Sequence, residues 1–235
     1  MTPPAVLGRD PLPEPWVPGA GPRLWSLRVG EYRDRAVARQ AVLDGTELAR
    51  CLAFLRDSDR DRYRVAHVAL RQLLGAYLDR DPADVRLTRE PCPGCGEPHG
   101  RPAVAAGAPH FSLSHSRDAV LLAFADTPVG VDVEATPDAG TAAEMGALFH
   151  PAERAELAAL PHAARPAAVV RCWARKEAYL KGVGIGLGED LSVTHVGAGS
   201  APAAVPGWTL TDVPARPGYA AACAIRTADS RTNCG

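Results

Sequence analysis

The segment Asp59–Leu78 constrains the fold of this chain more than any other. Tyr63, Val65, Ala66, Val68, Ala69, Leu70, Leu73, Leu74, Tyr77 and Leu78 recur at helical spacing and give one helix a wide apolar stripe. Asp81-Pro82 ends it. A shorter helical pattern precedes it at Glu47–Leu55, and short strands are expected at Leu24–Val29, Val85–Thr88, His110–Ser114 and Ala119–Ala125. Asp126-Thr127-Pro128 then breaks the chain, and the pattern resumes. Val129–Glu134 reads as a strand, Ala142–Leu148, Pro151–Leu160 and Ala167–Lys181 as helices. Further strands are expected near Leu191–Val196, Trp208–Val213 and Tyr219–Ile225. Helix followed by strands on both sides of the break predicts an α+β chain of two halves of similar size, residues 23–126 and 129–226. A Pro/Gly-rich arm, residues 1–22, precedes them, and a polar, flexible tail, 227–235, follows.

Composition removes several functional classes. The 235 residues carry 26 basic and 27 acidic side chains, a formal charge of −1, without the basic excess that drives binding to nucleic acid or anionic membranes. No apolar run approaches the roughly 20 residues that cross a bilayer, and residues 1–22 lack an apolar signal-peptide core. Six cysteines in a chain this long do not require a disulfide framework, so a reducing, cytoplasmic setting is expected. Only two of the basic residues are lysine, Lys176 and Lys181.

Four segments could carry chemistry. In Gly130-Val-Asp-Val-Glu134 the two-residue period turns Asp132 and Glu134 to one face and the valines to the core. That pattern is either a solvated acidic edge or a pair of oxygen ligands of the kind magnesium takes. In Trp173-Ala-Arg-Lys-Glu-Ala-Tyr-Leu-Lys181, Glu177 and Lys181 share a helix face, as a surface ion pair or as part of a site. An ammonium that can give up its proton differs from guanidinium, which points to a functional lysine at position 176, 181 or both. Phe111-Ser-Leu-Ser-His-Ser116 sets His115 between hydroxyls; neighbours on an extended chain point opposite ways, so a hydrolase triad is not expected. Arg60, Arg64, His67 and Arg71 form a basic stripe on the long helix, either a solvated face or a phosphate-binding one.

In this order the segments resemble the Sfp-type 4′-phosphopantetheinyl transferases. The resemblance runs from about residue 50 to 225, and its specific part is Gly-x-Asp-x-Glu followed by Trp-x-x-Lys-Glu-x-x-x-Lys. It implies a pseudo-twofold enzyme of two α+β halves with coenzyme A and Mg²⁺ (or Mn²⁺) in the cleft between them. The reaction implied is transfer of the phosphopantetheine arm to a serine of an acyl or peptidyl carrier protein, releasing adenosine 3′,5′-bisphosphate. Polyketide or nonribosomal-peptide carriers are the expected partners, and the enzyme is expected to be a monomer. By resemblance, Asp132, Glu134 and Glu177 hold the metal. Glu177 is also the base toward the carrier serine, directly or through a water, and Lys181 stabilises or protonates the leaving group. His115 with Ser114 near it, Arg71, Arg64 (or Arg56 and Arg60 in its place), Arg101 in Gly100-Arg-Pro102 and, in second rank, Lys176 would hold the coenzyme.

Cys92-x-x-Cys95-x-x-x-His99 has the spacing of three zinc ligands, with Cys172, His110 or no residue as a fourth. Similar stretches precede the Gly-Arg-Pro loop in related sequences, and a turn without metal is the expectation. Two other functions compete with the transferase: a metal-dependent nucleotide phosphohydrolase using the same carboxylates, and a zinc-knuckle RNA binder. The balanced charge and few aromatics near residues 92–99 argue against the latter.

Overall fold

The computed structural model describes residues 2–185 and 189–227; of the expected tail, residues 228–235 lie outside them. In chain order the first half holds β1 (Ala5–Val6), β2 (Arg23–Arg28), α1 (Val29–Ala38), α2 (Gly45–Leu52), α3 (Asp57–Leu78), β3 (Leu87–Arg89), β4 (Pro102–Val104), β5 (His110–Ser116) and β6 (Ala119–Ala125). The second holds β7 (Val129–Ala135), α4 (Ala139–Ala147), α5 (Pro151–Ala158), α6 (Arg165–Val183), β8 (Trp208–Asp212) and β9 (Tyr219–Arg226). The chain is thus mixed α+β, with one sheet ordered β1-β2-β6-β5, another β7-β9-β8, and a small β3-β4 hairpin.

Side-chain alternation along β6 explains how the two larger sheets stack. Val120, Leu122 and Phe124 face α3, packing with its Val65, Ala66, Ala69, Leu73 and Tyr77. Leu121, Ala123 and Ala125, on the other face, pack with Val129, Val131 and Val133 of β7 and Cys223 of β9. The far side of the second sheet meets α6, where Ala174 and Ala178 lie on Ala222 and Ala224. The layers therefore run α3, sheet, sheet, α6. Small residues set the last spacing, since a Cβ on Gly130 would stand 1.9 Å from the Ala178 carbonyl oxygen.

β5 and β7 lie side by side without a backbone ladder. Instead the hydroxyls of Ser112, Ser114 and Ser116 accept from the backbone N–H groups of Val131, Val133 and Ala135 at 3.0, 3.3 and 3.2 Å. Every second residue of β5 thus satisfies a donor on the free edge of β7.

Several expectations shift. The arm is docked: β1 pairs in parallel with β2, and Trp16 Nε1 and Gly19 N–H donate to the Asp126 carboxylate at 2.9 and 2.8 Å. The helix α1 is one the sequence pattern does not announce, because Val29, Tyr32 and Ala36 alone are buried along it. Leu191–Val196 forms turns, not a strand. Its amide at Val196, and that of Gly197, donate to Glu153 of α5, while those of Ala198 and Gly199 donate to Glu156. Side-chain carboxylates replace the ladder partner there.

Candidate active site

Strand β7 turns Asp132 and Glu134 toward α6, and the bare backbone at Gly130 lets that helix lie close enough to bring Glu177 and Lys181 over them. Asp132 is 1% exposed. Its Oδ1 accepts from Ser114 Oγ at 2.7 Å and from Lys181 Nζ at 2.6 Å, while Lys181 also reaches Ser114 Oγ at 3.2 Å. Ser116 Oγ donates to Glu134 at 2.7 Å. Asp132 Oδ2 and Glu177 Oε1 are buried without a hydrogen-bond partner.

The electrostatics describe a site short of positive charge. Burial pushes the Glu177 carboxyl above its ordinary value and the Asp132 charge pushes it further, against the pull of Lys181. Burial raises Glu134 as well, with Asp132 and Glu177 adding to the shift and Ser116 and Lys181 opposing it. Two orphaned carboxylate oxygens, mutual repulsion and an all-oxygen donor set fit a hard divalent cation such as Mg²⁺. The three carboxylates are not drawn tightly together, however. Among the described residues, the trio with all ligand atoms within 4.8 Å of one another is Cys92, Cys95 and His99.

His115 points to the opposite side of β5 from Ser114, toward α3. Burial holds its imidazole below the usual range, and Arg62, Lys181 and His67 push the same way against a backbone hydrogen bond. Its Nδ1 is buried and unpartnered. Arg101 crosses between the halves, donating to the Gly182 carbonyl at 2.7 Å near the end of α6 and pairing with Glu90. Arg64 pairs with Asp61 at 2.9 Å on the partly covered face of α3.

Two expected coenzyme ligands are engaged elsewhere. Arg71 is 1% exposed, with its guanidinium spent on Asp44, Glu47 and the carbonyls of Pro82 and Val85. It joins α2 to α3. Lys176 is 3% exposed and donates to Glu153 and to the Thr194 carbonyl, both at 2.7 Å, above the Phe149 ring. Its neighbour Arg175, fully buried, holds Asp212 and the carbonyls of Gly197, Gly199 and Ala201. Adjacent cations on α6 thus tie down the segment 194–201, while Glu177 and Lys181 face the other way. Ser112, Ser116 and Arg62 belong to the neighbourhood, and the sequence gives none of them a role in the site. The alternating serines of β5 were the available signal for the first two.

A family model described as the 4′-phosphopantetheinyl transferase superfamily matches residues 128–223, the stretch holding Asp132, Glu134, Glu177 and Lys181. The chain is 33% identical over 174 residues to the 4′-phosphopantetheinyl transferase psf-1 of Bacillus pumilus, covering 72% of each chain. It is 29% identical over 197 residues to the 4′-phosphopantetheinyl transferase HetI of Nostoc sp., covering 81% of each. With the 4′-phosphopantetheinyl transferase Sfp of Bacillus subtilis, identity is 24% over 165 residues, 67% of this chain and 70% of Sfp. These relatives give the phosphohydrolase alternative no support. Sequence motifs, fold and relatives agree, and the chain belongs to the 4′-phosphopantetheinyl transferase family.

Proposed function

We propose that this enzyme transfers the 4′-phosphopantetheinyl group of coenzyme A to a serine hydroxyl of an acyl or peptidyl carrier protein. The serine oxygen bonds to the phosphorus that bears the pantetheine arm, the bond from that phosphorus to the bridging oxygen breaks, and adenosine 3′,5′-bisphosphate leaves. The observation that carries the reading is the convergence of Lys181 with the orphaned oxygens of Asp132 and Glu177 in one buried, negatively charged site.

Asp132, Glu134 and Glu177 are the residues that would hold Mg²⁺. Bound there, the cation supplies charge neutralisation for the coenzyme's pyrophosphate as negative charge moves to the leaving oxygen. Glu177 takes the proton of the attacking serine, directly or through a water. Lys181 donates to the departing phosphate, a role suited to an ammonium that can release a proton. Ser114 orients both Asp132 and Lys181 through its hydroxyl. His115 and Arg101 hold the coenzyme's phosphates, with Arg62 and Arg64 on α3 serving the same polyanion.

No described helix is long and apolar enough to cross a membrane. A cytoplasmic monomer acting on carriers of polyketide or nonribosomal-peptide synthesis is the setting proposed. The test is incubation with coenzyme A and Mg²⁺, with and without an apo carrier protein. Adenosine 3′,5′-bisphosphate released only when the carrier is present supports the transfer; release without any carrier contradicts it.

A further inference from the structure

We propose that Cys92, Cys95 and His99 bind one zinc ion at the tip of the β3–β4 hairpin, with a water molecule in the fourth position. This site is separate from the acidic cluster of β7 and α6, and its soft donors select a different ion.

The three ligand atoms already stand together, all within 4.8 Å of one another, with Cys95 Sγ 3.0 Å from His99 Nε2. Two thiolates and an imidazole suit zinc, whereas magnesium takes oxygen. The backbone is shaped for the task. Cys92 N–H donates to the Glu97 carbonyl at 2.7 Å and Gly96 N–H to the Cys92 carbonyl at 2.8 Å, which closes the turn around the two sulfurs. Gly96 takes a φ of +80°, a left-handed conformation that a side chain would strain and that turns the chain just after Cys95.

The candidates for a fourth protein ligand are engaged elsewhere. Cys172 is wholly buried in α6, packed in the cluster of Ala142, Phe149, Leu157 and Val196. His110 faces Glu90 at 3.6 Å. Three protein ligands with solvent in the fourth position follow from this arrangement.

The loop also needs an internal tie. Every residue from Pro93 to His99 is exposed, and each hairpin strand is three residues long, so almost no apolar burial orders the tip. Metal–ligand bonds supply that order in small modules. The ordered tip then bears on the transferase centre. The Gly100 N–H donates to the Glu90 carbonyl and the Glu90 N–H to the Arg101 carbonyl, so the zinc turn closes directly onto Arg101. Arg101 in turn holds the Gly182 carbonyl, next to Lys181.

Metal analysis of protein purified anaerobically with reductant, from zinc-supplemented medium, tests the proposal. One zinc per chain is expected, and it should be lost in Cys95→Ser, an exposed change that leaves the fold intact by circular dichroism. Replacing zinc with Co²⁺ should give a thiolate-to-cobalt charge-transfer band, absent in Cys92→Ser and altered in His99→Ala. Zinc-free protein that shows no charge-transfer band on Co²⁺ titration overturns the site. So does zinc content unchanged by Cys95→Ser. None of these readouts depends on transferase activity, so they stand apart from the test of that reaction.

Discussion

Lys181 Nζ lies 2.6 Å from Asp132 Oδ1, joining helix α6 to strand β7 at a carboxylate that is almost wholly buried. Without a cation in the acidic cluster, this ammonium is the charge that offsets Asp132. Replacing it with an apolar chain leaves a buried carboxylate unpaired, a change that costs about 3–5 kcal/mol. Lys181→Met should therefore be strongly destabilised in metal-free urea unfolding and regain much of that loss in Mg²⁺. An equal loss with and without Mg²⁺ would contradict the assignment. Lys181→Arg keeps the charge but not the readily released proton, and kcat should fall about 10²- to 10⁴-fold.

The raised carboxyls give a pH signature. Glu134 and Glu177 ionise less readily in the folded protein than in the unfolded chain. Below the unfolded value both states are protonated and no penalty arises. As pH rises through the folded values the penalty develops, so the metal-free protein loses stability toward neutrality. Mg²⁺ binds the ionised form, and its stabilising effect should be largest at neutral pH and shrink in acid. Glu177→Gln should stabilise the metal-free protein at neutral pH and reduce the Mg²⁺-dependent gain. Melting temperatures across pH, with and without Mg²⁺, measure both; a Mg²⁺ effect that grows in acid would contradict them.

Lys176 ties α6 to Glu153 and to the Thr194 carbonyl. Lys176→Met breaks its pair with the fully buried Glu153, and about 3–5 kcal/mol of stability should be lost. The variant that remains folded at low temperature should keep kcat/KM for coenzyme A within a few-fold. A large rise in KM for coenzyme A at unchanged stability would return Lys176 to the binding site.

Gly130 sets the distance between β7 and α6. A Cβ there would stand 1.9 Å from the Ala178 carbonyl and 2.4 Å from the Gly182 amide nitrogen, both backbone atoms. The helix must move away, carrying Glu177 and Lys181 with it. Gly130→Ala should cost about 3 kcal/mol, the upper part of the usual overpacking range. Displacement of about 1 Å should also lower kcat about 10²-fold, read from steady-state rates on folded protein.

What could be read from sequence follows a physical divide. The long helix was legible because Val65, Ala66, Leu73 and Tyr77 repeat on one face. The alternation in Gly130-Val-Asp-Val-Glu134 foretold which side chains point inward. Glu177 and Lys181 share a helix face by spacing alone. Burial of a cation was not legible, because it depends on partners far along the chain. Arg71 needs Asp44 and Glu47, Arg175 needs Asp212, and Lys176 needs Glu153. Read locally, Arg71 and Lys176 look like ligand contacts. Leu191–Val196 looked like a strand for the same reason, since nothing within it says that Glu153 will take the Val196 amide. The serines of β5 were visible as a motif, but their role in joining the two sheets requires the edge of β7.

The most direct test of the account is the intact mass of an apo carrier protein after incubation with coenzyme A, Mg²⁺ and the enzyme or its Asp132→Asn variant. The wild-type enzyme should add one phosphopantetheinyl group to the carrier serine, and the variant, still folded, should add none on the same timescale. A carrier left unmodified by the wild-type enzyme while coenzyme A is hydrolysed, or one modified at the wild-type rate by Asp132→Asn, would contradict it.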